Sequence, residues 1–83
     1  MEKKIGVITH FFPKPSAAVL KLDKKLSVGD DIHIKGFTTD FTEKVTSIQI
    51  DHKEVESAKK GDDAAILVKE RVREGDEVFL LES

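Results

Sequence analysis

The chain has 83 residues, 16 acids against 14 lysines and arginines, and a formal charge of −2. It is enough for one domain and lacks the global positive field that draws a protein onto nucleic acid. Cysteine is absent, which excludes disulfides, thiolate metal sites and thiol nucleophiles together. No stretch approaches the roughly 20 apolar residues of a membrane span, and Met-Glu-Lys-Lys-Ile-Gly at the start lacks the apolar run of a signal peptide. The expectation is therefore one cytoplasmic domain over residues 1–83, without a membrane partner.

Residues 4–11 alternate around Ile5, Val7 and Phe11 and predict a first strand, with Ile8 making its other face partly apolar. Two prolines stiffen the connection from Phe12 to Ser16. Ala18, Leu20 and Leu22 line one face of a second strand, with Lys21 and Asp23 on the other. Leu26 and Val28 are expected to plug the turn before Gly29. Ile32 and Ile34 point inward from a third strand that stops at Gly36, and polar, threonine-rich residues 37–42 read as a loop or bulge. Among the aromatics, Phe11 and Phe37 are expected to plug the core, whereas Phe12 and Phe41 have no evident core slot.

Thr46, Ile48 and Ile50 share a face of the next strand. Residues 52–60 read as irregular and mostly extended, with a single helical turn through Val55 and Ala58 as the alternative. Residues 64–69 and 78–81 are strands apolar on both faces, and a strand of that kind has something packed on both sides.

Three segments repeat one pattern of glycine, aspartate, a second acid and then a strand: Val-Gly-Asp-Asp-Ile-His-Ile from Val28, Lys-Gly-Asp-Asp-Ala-Ala-Ile from Lys60 and Glu-Gly-Asp-Glu-Val-Phe-Leu from Glu74. Glycine supplies the positive φ of a tight turn, the acids are expected to stay in water, and the strand follows. Three such entrances in a short chain predict an all-β fold, a closed or nearly closed antiparallel, Greek-key-like barrel of six to seven strands.

Chemistry-bearing groups are sparse. His10, His33 and His52 lack metal-ligand spacing, and the pairs Asp30-Asp31, Asp62-Asp63 and Asp76-Glu77 lack the spacing of a calcium loop, so no metal site is expected. There is no phosphate loop for a nucleotide triphosphate and no nucleophile turn around Ser16. A non-catalytic protein without a cofactor is expected.

From Gly29 onward the ordered motifs Val-Gly-Asp-Asp-Ile-His-Ile, Lys44-Val45-Thr46-Ser47-Ile48-Gln49-Ile50, Lys60-Gly61-Asp62-Asp63-Ala64-Ala65-Ile66 and Glu74-Gly75-Asp76-Glu77-Val78 resemble domain II of the translation GTPases. The likeness covers about residues 4 to 82, and the same barrel is similar to the C-terminal domain of some U32 peptidase-family proteins. The family holds the aminoacyl end of tRNA with a glutamate, an arginine and an asparagine. The positions aligned with them are Gln49, His52 and Asp63, none of which is the family's residue. The resemblance implies a translation-associated module that binds tRNA, ribosomal RNA or a ribonucleoprotein through these three with Lys35, Lys44 and Phe41. The alternative it implies is a barrel that docks on a larger protein such as a U32-type peptidase, or on a second copy of itself, through Leu67, Phe79 and Leu81.

Overall fold

The computed structural model describes residues 2–81 and contains no helix among them. Ten strands follow in chain order: β1 (Glu2–Phe12), β2 (Ala17–Leu22), β3 (Leu26–Ser27), β4 (Asp31–Lys35), β5 (Asp40–Lys44), β6 (Ile48–Ile50), β7 (Lys53–Val55), β8 (Ser57–Ala58), β9 (Asp63–Leu67) and β10 (Glu77–Leu81). Eight form one sheet in the order β5-β4-β10-β1-β2-β9-β6-β7, and β3 pairs with β8; every pairing is antiparallel. The all-β expectation holds. Six strands have five residues or more, and the other four are segments of two or three residues too short to carry an alternation signal.

Inward residues from β1, β2, β4, β5, β6, β9 and β10 meet in one buried cluster, so the long sheet curls around its own core. Period two explains most of it: Ala18, Leu20 and Leu22, then Ile32 and Ile34, then Ala64 and Ile66 are all buried. In β1 the period breaks. Ile5 and Ile8 are both buried while Val7 is only half-buried, because pairing slips between Lys4 and Gly6 against β10 and between Ile8 and His10 against β2. Each slip inserts a residue and reverses the alternation, which is why Val7 is not the inward residue expected from sequence.

Other expectations are corrected. Phe41 is 8% exposed and belongs to the core, whereas Phe37 is 102% exposed and plugs nothing. The segment read as a loop is in part β5, registered on β4 from Lys35↔Asp40 to Asp31↔Lys44, which sets Phe41 opposite the buried Ile34. Leu26 is buried as expected, but Val28 is exposed. Val45, rather than Thr46, takes the inward place ahead of β6. Residues 52–60 are mostly extended, as β7 and β8, with no helical turn among them.

The three Gly-Asp segments are built alike. Gly29, Gly61 and Gly75 have φ of 97°, 91° and 93°. In each turn the aspartate N–H donates to the carbonyl three residues earlier, of Ser27, Lys59 or Arg73 (3.1, 3.0 and 3.1 Å). The carboxylate then accepts from that same residue's N–H, Asp30 from Ser27, Asp62 from Lys59 and Asp76 from Arg73 (2.9, 3.0 and 2.9 Å). Finally, the glycine N–H and the aspartate carbonyl both bond one buried residue far away in sequence: Gly29 and Asp30 hold Val45, Gly61 and Asp62 hold Leu22, and Gly75 and Asp76 hold Ile8, all at 2.8–3.0 Å. These aspartates are structural. Their expected place in open water is wrong for Asp76, which is buried, and for Asp30 and Asp62, which are half-buried.

On β4, His33 sits between two carboxylates, Nδ1 meeting Glu2 of β1 and Nε2 meeting Asp40 of β5. Its side chain is 14% exposed and lies beside the ring of Phe79, with centroids 6.3 Å apart. Asp40 first and Glu2 second, each by a hydrogen bond, hold the imidazole above its ordinary pKa.

A Cβ at Gly36 would lie 1.9 Å from Asp76 Oδ1, whereas one at Gly61 would meet open space and only the cost of its φ, about 1–2 kcal/mol. Urea denaturation is expected to rank Gly36→Ala as more destabilising than Gly61→Ala, and most of the Gly36→Ala cost is expected to vanish in an Asp76→Ala background. For His33 the folded pKa is raised, so its stabilisation is fully present below the ordinary histidine value of about 6.5 while Glu2 and Asp40 stay ionised, and is lost as pH rises through the raised value. The melting-temperature gap between the parent and His33→Gln is expected to be wide at pH 6 and to narrow by pH 9; a gap independent of pH would refute the ionic clamp.

Candidate functional site

Alternation that sends Ala18, Leu20, Ala64 and Ile66 inward sends Ala17, Val19, Ala65 and Leu67 outward. Cross-strand register places Ala17 against Leu67 and Val19 against Ala65, and Ala65 in turn lies against Gln49 of β6. These apolar side chains floor a groove of about 580 Å³ on the outer face of the sheet. Phe12 and Pro15 form one wall, Ser47, Gln49, Asp51 and His52 the other, and Asp63 lies at the start of β9.

Both walls are fixed by backbone chemistry. Ser16, at φ 54°, donates from its N–H to the Pro13 carbonyl (3.2 Å) and from Oγ to the Val68 carbonyl (2.6 Å), and Val68 N–H donates to the Ser16 carbonyl (2.9 Å). The proline-rich connection is thus tied to the strand it overhangs. His10 tilts against Phe12, ring centroids 4.4 Å apart. Opposite, Asp51 and His52 have φ of 54° and 66° between the paired Ile50 and Lys53, a two-residue hairpin turn of the type that follows strand twist.

The groove unites residues that the sequence assigns to different partners. Gln49, His52 and Asp63 of the nucleic-acid set line it together with Leu67 of the protein-docking set. Lys35 and Lys44 lie elsewhere, at opposite ends of the β4–β5 pair, and Lys44 Nζ is 3.5 Å from Asp31 Oδ1. Phe41 faces the core, so it is not an exposed contact. Lys69 lies over its ring, 6.0 Å from the centroid. Phe79 and Leu81, half-buried on β10, are separated from Leu67 by β1 and β2. Between the two patches Lys4 pairs with Glu77 at 2.8 Å, and that hydrogen bond and charge raise the lysine's pKa.

Sequence reading missed Phe12, Pro15 and Asp51 as groove residues. A signal was there in Ala17 and Val19, which are apolar on the face of β2 that also carries Lys21. No hydrogen bond among the described residues joins Ser47, His52 and an aspartate into a proton relay, and no cluster of three or more His, Asp or Glu among them could hold a metal. The groove offers apolar surface with two carboxylates, and no lysine or arginine lines it.

No family model matches the chain. A curated relative, an uncharacterized protease of Methanocaldococcus jannaschii, is 46% identical over 79 residues, which is 94% of this chain and 19% of the relative. Two crystal structures of the C-terminal domain of a Geobacillus thermoleovorans protein named as a U32 peptidase share the fold. One aligns with a TM-score of 0.90 over 96% of this chain and 93% of that one. The other, the selenomethionine variant, aligns at 0.87 over 92% and 96%; both are 16% identical. The U32 side of the resemblance thus gains a structural counterpart, while the elongation-factor side keeps only its motif order. The chain has the fold of a U32-type C-terminal domain and spans about a fifth of its protease-named relative.

Proposed function

We propose that this domain is a non-catalytic docking module that works with a larger protease-like body, in cis or in trans. One observation carries the reading: close sequence identity to a protein named as a protease, confined to 19% of that protein's length, in a unit whose fold matches an isolated C-terminal domain. In this reading the module supplies a surface, and two of the four exposed large hydrophobic side chains among the described residues, Phe12 and Leu67, line the groove. Phe79 and Leu81 form a second, smaller contact in this reading.

The nucleic-acid reading loses ground on charge. Asp51 and Asp63 line the groove that Gln49 and His52 share and would repel phosphate, and Lys44 is paired with Asp31. Lys35 alone is a poor phosphate site.

The test mixes the purified chain with the Methanocaldococcus relative from which the matching 79 residues have been removed. Co-elution on size exclusion, insensitive to nuclease, is expected. Leu67→Glu should weaken it by about tenfold at an unchanged melting temperature. Absence of any complex, or a complex destroyed by nuclease, would overturn the proposal.

A further inference from the structure

We infer that the groove takes an extended, basic segment of a protein partner, seated along β9 with an apolar residue against Leu67 and Phe12, a small residue over Ala65 and an arginine or lysine at Asp63 and Asp51. This rests on the docking reading and adds the chemistry of what docks. Three observations select this occupant. The first is spacing. Leu67, Ala65 and Asp63 stand at alternate positions of one strand, and alternate side chains of any extended segment repeat at the same interval of about 7 Å, so the two ladders stay in step over the length of the groove.

The second is charge. Asp51 and Asp63 are the carboxylates of the lining, no lysine or arginine lines it, and among the described residues neither carboxylate is in an ion pair, although Lys21 is the cross-strand partner of Asp63. A basic side chain beside the small residue would rest its hydrocarbon stem on the apolar floor and reach Asp63 and Asp51 with its charged head, whereas an acidic segment or a phosphate would meet repulsion. The third is rigidity. The Phe12 wall is held by the paired Ser16 and Val68 bonds and the opposite wall by the hairpin turn, so little chain entropy is lost in shaping the groove for a ligand.

The test uses the chain labelled with nitrogen-15 and a blocked pentapeptide of leucine, threonine, alanine, threonine and arginine, with a control carrying glutamate in place of arginine. The arginine peptide is expected to move the amide signals of Gln49, Asp63, Ala65 and Leu67, and the glutamate peptide to move none. Asp63→Asn and Asp51→Asn should each weaken binding about twofold to fivefold; asparagine also tolerates the left-handed backbone at position 51, so folding is preserved. Equal binding of both peptides, unchanged affinity in the asparagine variants, or movement of these signals by a uridine octamer instead would overturn the inference. So would concentration-dependent self-association that occupies the groove and disappears in Phe37→Ser, since the occupant would then be a second copy. If the protease-like body binds through Leu67 while the arginine peptide fails, docking stands and the charge preference falls. If the peptide binds while the body does not, the charge preference stands and docking on that body falls.

Discussion

The fold depends on a three-part backbone bracket. A glycine at positive φ turns the chain, the next aspartate locks the turn by accepting an N–H from three residues back, and the same two residues reach across to bond both backbone groups of one buried residue. Each part needs the others. Without the φ the aspartate does not point back, and without the locked turn its carbonyl is not aimed at Val45, Leu22 or Ile8. Because those three residues are buried, an unmade bracket would leave peptide groups unpaired in the core, which costs more than the hydrogen bond itself gains. Gly36 extends the constraint, since the Asp76 carboxylate occupies the space a side chain there would need.

Much of this was legible in the sequence. The three Gly-Asp repeats announced their turns, and period-two alternation found the inward faces of β2 and β4, whereas β9 is apolar on both faces and shows no such contrast. The failures share a cause. Alternation assumes an unbroken ladder, and β1 has two bulges, so Val7 and Ile8 exchange places. In β5 one apolar residue, Phe41, stands among polar ones just after Thr38 and Thr39, which hides the strand and makes Phe37 look like a better core residue than Phe41. The aspartates read as solvated on polarity alone; local composition does not reveal that a carboxylate will be consumed by its own turn.

The groove was legible only in pieces. Gln49, His52 and Asp63 follow from the motif resemblance and Leu67 from the apolarity of β9, and nothing in the linear order says that they meet. Sheet order decides it, by setting β9 between β2 and β6, and the same order keeps Phe79 and Leu81 away on β10. The surface therefore separates into a groove rich in apolar floor and carboxylate, and a charged patch where His33, held by Glu2 and Asp40, lies beside Phe79. Relatives named for proteolysis carry this domain's sequence or fold, and the groove here is lined by apolar side chains and two carboxylates.

The positions of the brackets along the chain are nested: the pair joining Gly29 to Val45 lies inside the pair joining Leu22 to Gly61, which lies inside the pair joining Ile8 to Gly75. Closing the innermost shortens the effective loop that the next must close, so the entropic penalty of the longest-range contact is divided among successive steps. The nesting therefore favours closure from the Gly29–Val45 bracket outward, with the bracket between Ile8 and Gly75 the last to close.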